Sequence, residues 1–298
     1  MLAHKSCEAF LAVAEYGSFE AAATQLCITA SAVSLRVQTL EKQLGQIFIV
    51  RERPCRVTHA GEILLKHLQH QRLKENQLLQ QLQGHHRHAF YQLNIATNAD
   101  TLATWLLPIL QPILIQKKIT LNLMIEDQSQ THELLANGLV NACISEVPQT
   151  MKGCHAHLLG NMRYKMVATP QFRQDWFDQG IHRQSIRQAP AVIFNHKDQL
   201  HEKMTLSLFG LNQHDYPHHF IPSSTAFVEA IELSLGFGMV PEIQIQQQLH
   251  TGQLIELLPE ARKDQYLYWH HWEQQSTALH AISQQIITQT QQLLIYNE

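Results

Sequence analysis

Three strand-to-helix junctions in the C-terminal two-thirds of the chain carry the side chains best suited to hold a small charged molecule, and in open α/β sheets such ends are where ligands collect. The first is Thr97-Asn98-Ala99-Asp100-Thr101, whose free backbone N–H groups and helix dipole suit an anion such as a carboxylate. The second is Glu126-Asp127, two adjacent carboxylates suited to an ammonium or guanidinium. The third is Pro222-Ser223-Ser224-Thr225, with hydroxyl and N–H donors. Ser145, at a fourth strand end, adds a hydroxyl. Donors for a carboxylate beside acidic groups for a cation describe an amino acid, most naturally a basic one. The expected binding set is Asn98, Asp100, Thr101, Glu126, Asp127, Ser145, Ser223 and Ser224. Helix capping alone would also account for Asp100, Thr101 and Ser224, and spacing weighs the two readings equally.

A different chemistry occupies the N-terminal sixty residues. A helix opening at Ser18 places Phe19, Ala22, Ala23 and Leu26 on one face, and a second, opening near Thr29 or Ser31, carries Val33, Val37, Leu40 and Leu44. Alanines 21, 22, 23, 30 and 32 let two helices cross closely, as a helix-turn-helix requires. Ser31, Ser34, Arg36 and Gln38 lie on or beside the polar faces of the second helix, where they reach phosphates or base edges. Beyond Gly45, an apolar run leads into Arg51-Glu52-Arg53-Pro54-Cys55-Arg56-Val57, a pattern suited to a β-wing against a DNA backbone. With Ser18, Thr29 and Ala32, these residues and Arg51 and Arg53 form the expected DNA contact set.

The remaining pattern supplies the framework. Leu2–Tyr16 reads as an amphipathic helix backing the helix-turn-helix, and Thr58–Gly84 as one long helix with Ile63, Leu64, Leu68, Leu73, Leu78, Leu79 and Leu82 along it. A helix of that length needs its leucines buried, and the expected partner is the same helix of a second subunit, packed antiparallel. Residues 84–88 form a hinge. From Tyr91 strands alternate with helices, predicting parallel βαβ units, about ten strands and two α/β lobes with a cleft between them. The domains are expected at 1–57, 58–88 and 89–298, the last divided into lobe I (about 89–163 and 266–298) and lobe II (about 164–265).

An overall charge of −3 argues by itself against DNA binding, but its distribution reverses that. Residues 1–90 hold ten Lys/Arg against seven Asp/Glu, and the remainder twelve against eighteen. A basic head on an acidic body is the asymmetry expected when one end meets nucleic acid. Five scattered cysteines without a CxxC pair fit reduced thiols, with Cys27 and Cys143 as small core residues. No leader or membrane span is expected, because the most apolar window, Thr101–Ile115, is short and contains two prolines. The chain is therefore expected in the cytoplasm. Twenty histidines, several adjacent (His85-His86, His155-x-His157, His218-His219, His270-His271), lack a convincing ligand pattern and are expected to be solvated, with no metal and no cofactor. No nucleophile elbow, phosphate-cradling loop or triad spacing appears, so an enzyme is not expected.

The N-terminal stretch resembles the winged helix-turn-helix of LysR-type transcriptional regulators. The resemblance rests on Phe19-x-x-Ala22-Ala23, Ser31-Ala32-Val33-Ser34, Leu40-Glu41-x-x-Leu44-Gly45, Phe48, Arg51 and Thr58-x-Ala60-Gly61. Regulators of this type usually carry a polar residue, often Gln, where this chain has Ala30, and Leu35 is likewise apolar, so direct base readout is expected to be thin. Over essentially its full length the chain is similar to the ArgP/LysG branch of that type, which senses lysine and arginine. That likeness rests on Cys27-Ile28-Thr29-x-Ser31-Ala32-Val33-Ser34, Asn98-Ala99-Asp100-x-Leu102-Ala103-Thr104-Trp105-Leu106-Leu107-Pro108, Glu126-Asp127, Ser223-Ser224-x-Ala226-Phe227-Val228 and Leu267-Tyr268-Trp269-His270. It implies a winged head, a dimer-forming linker helix and a periplasmic-binding-protein-like effector domain. It also implies a homodimer or homotetramer on double-stranded DNA, contact with RNA polymerase, and control of basic amino-acid export or metabolism genes. The alternatives are a different small-metabolite effector, or a body that only oligomerises.

Overall fold

The computed structural model describes residues 2–83, 90–126 and 128–294. The expected hinge at 84–88 and Asp127 lie outside the described residues.

Three helices, α1 (His4–Tyr16), α2 (Phe19–Leu26) and α3 (Ala30–Leu44), wrap one core of Phe10, Val13, Ala22, Val33, Val37 and Leu40. The starts of α2 and α3 have a local cause. Ser18 Oγ accepts from the Ala21 amide at 3.0 Å, and Thr29 Oγ1 from the Ala32 amide at 3.2 Å. A two-stranded wing follows, β1 (Ile49–Val50) antiparallel to β2 (Arg56–Val57). It is bolted to α3 by Glu41, whose carboxylate accepts from the Phe48 and Ile49 amides at 2.9 and 3.3 Å. Cys27 corrects an expectation. It is exposed, because it closes α2 in the left-handed conformation (φ 53°) at the turn.

The long helix α4 (His59–Gln83) buries Leu64 and Leu68 in the core of its own head, while Ile63, Leu78 and Leu79 stand exposed on the single chain. Its described leucines thus divide between a buried and an exposed set.

The body begins with β3 (Tyr91–Thr97), α5 (99–117) and β4 (Ile119–Ile125). Within α5 the turn 102–106 is π-helical. Pro108 and Pro112 each withhold an N–H from the ladder, and the wide turn lies immediately before the first of them. Then come α6 (Gln128–Ala136), β5 (Ala142–Ser145) and the long β6 (Cys154–Ala168). Lobe II follows with α7 (Pro170–Phe177), α8 (Arg183–Gln188), β7 (Ala191–Ile193), α9 (Gln199–Phe209), β8 (His218–Phe220), α10 (Ser224–Glu232), β9 (Gly238–Pro241), α11 (Gln246–Thr251) and β10 (Ile255–Glu256). The chain returns along β11 (Arg262–Trp272) and closes with α12 (Thr277–Leu293).

Parallel pairing holds for β3–β4, β3–β5 and β7–β8, as the alternation predicted. It fails for β6 and β11. These two run antiparallel to each other over Arg262↔Lys165 to Trp272↔Cys154, and β6 also takes β9 and β10 antiparallel. The sheet order is β10-β6-β11-β5-β3-β4, so a single mixed sheet threads both lobes.

The histidines also depart from expectation. His201, His270 and His271 are buried, not solvated. β11 is an interior strand covered on both faces, so its alternation ends in consecutive buried residues. Burial holds His201 and His270 down to about 4, which keeps both neutral at physiological pH. His270 Nε2 meets the Val147 carbonyl at 2.8 Å, and the His157 and His271 rings stack at 5.4 Å. Among the described residues, no group of three or more His, Cys, Asp or Glu is placed to hold a metal ion.

Candidate functional site

The head presents α3 and the wing. Core residues Val33, Val37 and Leu40 fix the inward face, so helical periodicity turns Ser31, Leu35, Gln38 and Lys42 outward along one stripe. Ser31 and Gln38 are exposed. Arg36 lies two positions from Gln38, about 200° round the helix, and sits half-buried on the opposite flank. Thr29 and Ser18 are occupied as caps, and the Thr29 and Ser31 hydroxyls are 3.0 Å apart. Ser34 accepts from the Arg51 guanidinium at 3.1 Å, and Arg51 also covers the Phe19 ring at 5.0 Å. The wing and the reading helix are therefore joined directly. Arg53 stands exposed in the wing, and Ala32 is half-buried beside the cap. Sequence reasoning passed over Lys42, which is exposed four positions beyond Gln38 on the same stripe. Leu35 is 65% exposed there and offers an apolar contact of the kind a thymine methyl takes.

The second site lies where the lobes meet. Asn98 caps α5, its Oδ1 accepting from the Thr101 amide at 2.8 Å. Asp100, in the first turn, receives the Tyr164 hydroxyl of β6 at 2.7 Å, and the Ser224 hydroxyl from the start of α10 lies against the same carboxyl. Ser224 is held in turn by Gln244, whose Oε1 accepts from Ser224 Oγ at 3.1 Å and whose Nε2 donates to the Ser224 carbonyl at 3.2 Å. One carboxyl of lobe I thus bridges to lobe II and to a strand running between them.

Burial pushes the Asp100 carboxyl above the usual carboxylate range; the hydrogen bonds from Ser224 and Tyr164 partly offset this, and the like charge of Asp198 adds to it. Arg163, Lys165 and Arg262 of the neighbouring strands are already committed. Arg163 makes a two-pronged pair with Asp264 at 2.8 and 2.9 Å, Lys165 lies 2.5 Å from Glu242 and 3.6 Å from Glu256, and Arg262 also pairs with Glu256. A desolvated carboxyl facing another acid is a receptor for an ammonium or guanidinium group. Beside it, Asn98 Nδ2 and Thr101 Oγ1 are buried without a hydrogen-bond partner among the described residues. So are both polar atoms of Asn161, on β6 three residues before Tyr164.

The structure therefore brings together Asn98, Asp100, Thr101 and Ser224. Ser223 is exposed and caps α10, its hydroxyl accepting from the Ala226 amide at 3.4 Å. Glu126 is exposed just beyond β4, its amide donating to the Thr97 carbonyl at 3.1 Å. Ser145 is buried, and its hydroxyl accepts from the Val147 amide at 3.2 Å. Tyr164, Gln244 and Asp198 were missed. Tyr164 looks like an ordinary strand residue until β6 is seen to pass between the lobes.

The chain is similar to known proteins over two stretches. Residues 4–62 match the helix-turn-helix of bacterial regulatory proteins of the lysR family, and residues 86–291 match the LysR substrate binding domain. The HTH-type transcriptional regulator ArgP of Photobacterium profundum is 40% identical over 283 residues, covering 95% of each chain. The ArgP crystal structure from Mycobacterium tuberculosis superposes with a TM-score of 0.81 at 32% identity, covering 100% of both chains. Full-length LysG from Corynebacterium glutamicum, solved with bound effector Arg, superposes with a TM-score of 0.73 at 32% identity over 97% of this chain and 98% of that one.

Proposed function

Because the chain belongs to the LysR family of bacterial helix-turn-helix regulators, we propose that it binds double-stranded operator DNA through α3 and the wing, and that a basic amino acid in the interlobe cleft controls that binding. The observation that carries the effector class is the Asp100 carboxyl. It is desolvated, bonded to Tyr164 and set against Ser224, while Arg163, Lys165 and Arg262 of the adjoining strands are taken by other acids. Arginine bound to LysG supports the same class. In this reading Asp100 takes a cationic group, and Asn98, Thr101 and the start of α5 take the effector's carboxylate, with Glu126, Ser145 and Ser223 as further candidates.

Exposed Leu78 and Leu79 of α4 pack against a second subunit, giving a homodimer or a tetramer of two such pairs. We take residues 1–57 as head, 58–88 as linker and 89–298 as effector body. Among the described residues no helix is long and apolar enough to cross a membrane, and we place the protein's work in the cytoplasm, on DNA and beside RNA polymerase. We assign it no catalytic step.

Thermal-shift titration with arginine, lysine, ornithine and leucine tests the effector class. A ligand selective for the folded state raises the melting temperature with concentration, by about 2.7 kcal/mol of stability at one hundred times Kd. The three basic amino acids are expected to raise it and leucine is not. No shift with any basic amino acid would overturn the effector assignment.

A further inference from the structure

Among the described residues the linker helix touches the effector body, and nothing above accounts for that contact. The middle of α4 is engaged on two opposite sides. On one side Leu68 is buried in the core of the head, and Arg72 pairs with Glu15 of α1 at 3.1 Å. On the other, His70, about 200° round the helix from Leu68, lies against the body. Its ring sits 4.0 Å from the ring of Trp272, the last residue of β11, with the planes inclined at 44°.

The helix backbone rests on the loop that ends α6. Gly138 is buried there with φ +69°, and a β-carbon at that position would lie 3.0 Å from the His70 nitrogen and 3.2 Å from its Cα. The loop is itself fixed, since the Gly138 amide donates to the Leu135 carbonyl at 2.9 Å and the Leu139 amide to the Leu134 carbonyl at 3.0 Å. Glycine is required twice over, by the left-handed backbone and by the approach of the helix.

We propose that His70, Trp272 and Gly138 form a coupling joint through which the state of the cleft reaches the linker helix and hence the head. This rests on the effector reading for what moves the joint, but not for its existence. Trp272 packs beside Ala96, Leu135, Val140, Cys143 and Cys154, and Ala96 lies on β3, the strand that delivers Asn98 and Asp100 to the cleft. The opposite end of β11, at Arg262, pairs with Lys165 in the lobe II stretch of β6. A change in lobe angle therefore twists a strand whose far end is Trp272. Close-packed surfaces pass on such displacements because they do not deform gradually. The joint also has no polar lock. His70 Nε2 and Trp272 Nε1 are buried without a hydrogen-bond partner among the described residues, so it can reseat without breaking a directional bond. Burial beside Lys74 and His67 holds the His70 imidazole below its ordinary value, keeping it the neutral ring this packing needs.

The test is hydrogen exchange on the full-length protein, comparing wild type with Gly138→Val, His70→Ala and the conservative Trp272→Phe. Without ligand, amides 69–72 are expected to exchange at least tenfold faster in Gly138→Val and His70→Ala and near the wild-type rate in Trp272→Phe, with α1 and α3 unchanged. Adding arginine to the wild type should slow exchange at 98–101 and 224–227 and alter it at 69–72. In Gly138→Val and His70→Ala only the cleft amides should respond. Equal exchange at 69–72 in all four ligand-free proteins overturns the joint, as does an arginine effect at 69–72 that survives both substitutions. Should Gly138→Val fail to fold, His70→Ala alone decides. Absence of arginine protection at the cleft counts against the effector reading, and the ligand-free comparison still decides whether the joint exists.

Discussion

Gly61→Ala is expected to unfold the winged head while leaving the effector body folded. A β-carbon at Gly61 would lie 2.4 Å from the Phe48 carbonyl oxygen and 2.6 Å from a Val57 methyl, so it would collide with the backbone leading into β1 and with a side chain of β2. The surroundings have little room to yield. Thr58 binds this corner three ways, its hydroxyl accepting from the Gly61 amide at 3.1 Å and donating to the Ile47 carbonyl at 2.6 Å, and its amide donating to the Phe48 carbonyl at 2.9 Å. Overpacking costs about 1–3 kcal/mol even where side chains can move aside. A head of this size has a total stability on the order of 5 kcal/mol. Circular dichroism should show an early melting step absent from the wild type, and operator affinity should fall by more than about 100-fold. Arginine should still stabilise the remaining transition. A head that melts with wild-type cooperativity would show that β1 can move away from α4.

Asp100→Asn should do the reverse to stability and damage function. The sign follows from the raised carboxyl. Below the ordinary carboxylate range, both the folded and unfolded forms of Asp100 are protonated, and its contribution to stability is fully present. As pH rises above about 4, the unfolded chain ionises first, so the wild type loses stability until the folded carboxyl ionises too. Asparagine keeps an acceptor for Tyr164 and carries no charge. The ligand-free variant should therefore match the wild type below the ordinary carboxylate range and be the more stable of the two at pH 7, as thermal unfolding at the two pH values would show. The difference between the two proteins isolates Asp100 from His201 and His270, which titrate alike in both. Arginine affinity should fall roughly 10- to 100-fold, the worth of one charge-assisted contact in a desolvated site. A variant with no gain at pH 7 and unchanged arginine affinity would remove Asp100 from the cation site.

Much of the head was legible in the chain because its signals are local. Ser18 and Thr29 cap the helices they precede, and Val33, Val37 and Leu40 fix the face of α3 by spacing alone. The face of Arg36 was legible too, since helical geometry places it opposite Gln38; the sequence reading grouped the two by polarity instead. In the body, the strand-to-helix ends were visible at Asn98, Asp100 and Ser224 as cap chemistry. Their meeting was not. It depends on β6 and β11 pairing antiparallel between the lobes, with more than ninety residues between partners such as Arg163 and Asp264. Glu126 and Asp127 drew attention as adjacent acids, yet adjacency along the chain says nothing of burial, and Glu126 is exposed. Spacing left Asp100 equally a cap or a ligand residue, because Tyr164 and Ser224, which face its carboxyl, are supplied by tertiary structure. His201 and His270 looked solvated because histidine is usually exposed, and only the layering of elements over them reverses that.

The central claim is that a cationic amino acid in the cleft changes how the head holds DNA. The most direct measurement is the affinity of the full-length protein for operator fragments selected from genomic DNA, at fixed salt, without ligand, with arginine, and with citrulline. Citrulline keeps arginine's shape and its amino-acid end but carries no side-chain charge. The account predicts at least a fivefold change in operator affinity with arginine and little or none with citrulline. Equal responses to the two, or none to either, would contradict it.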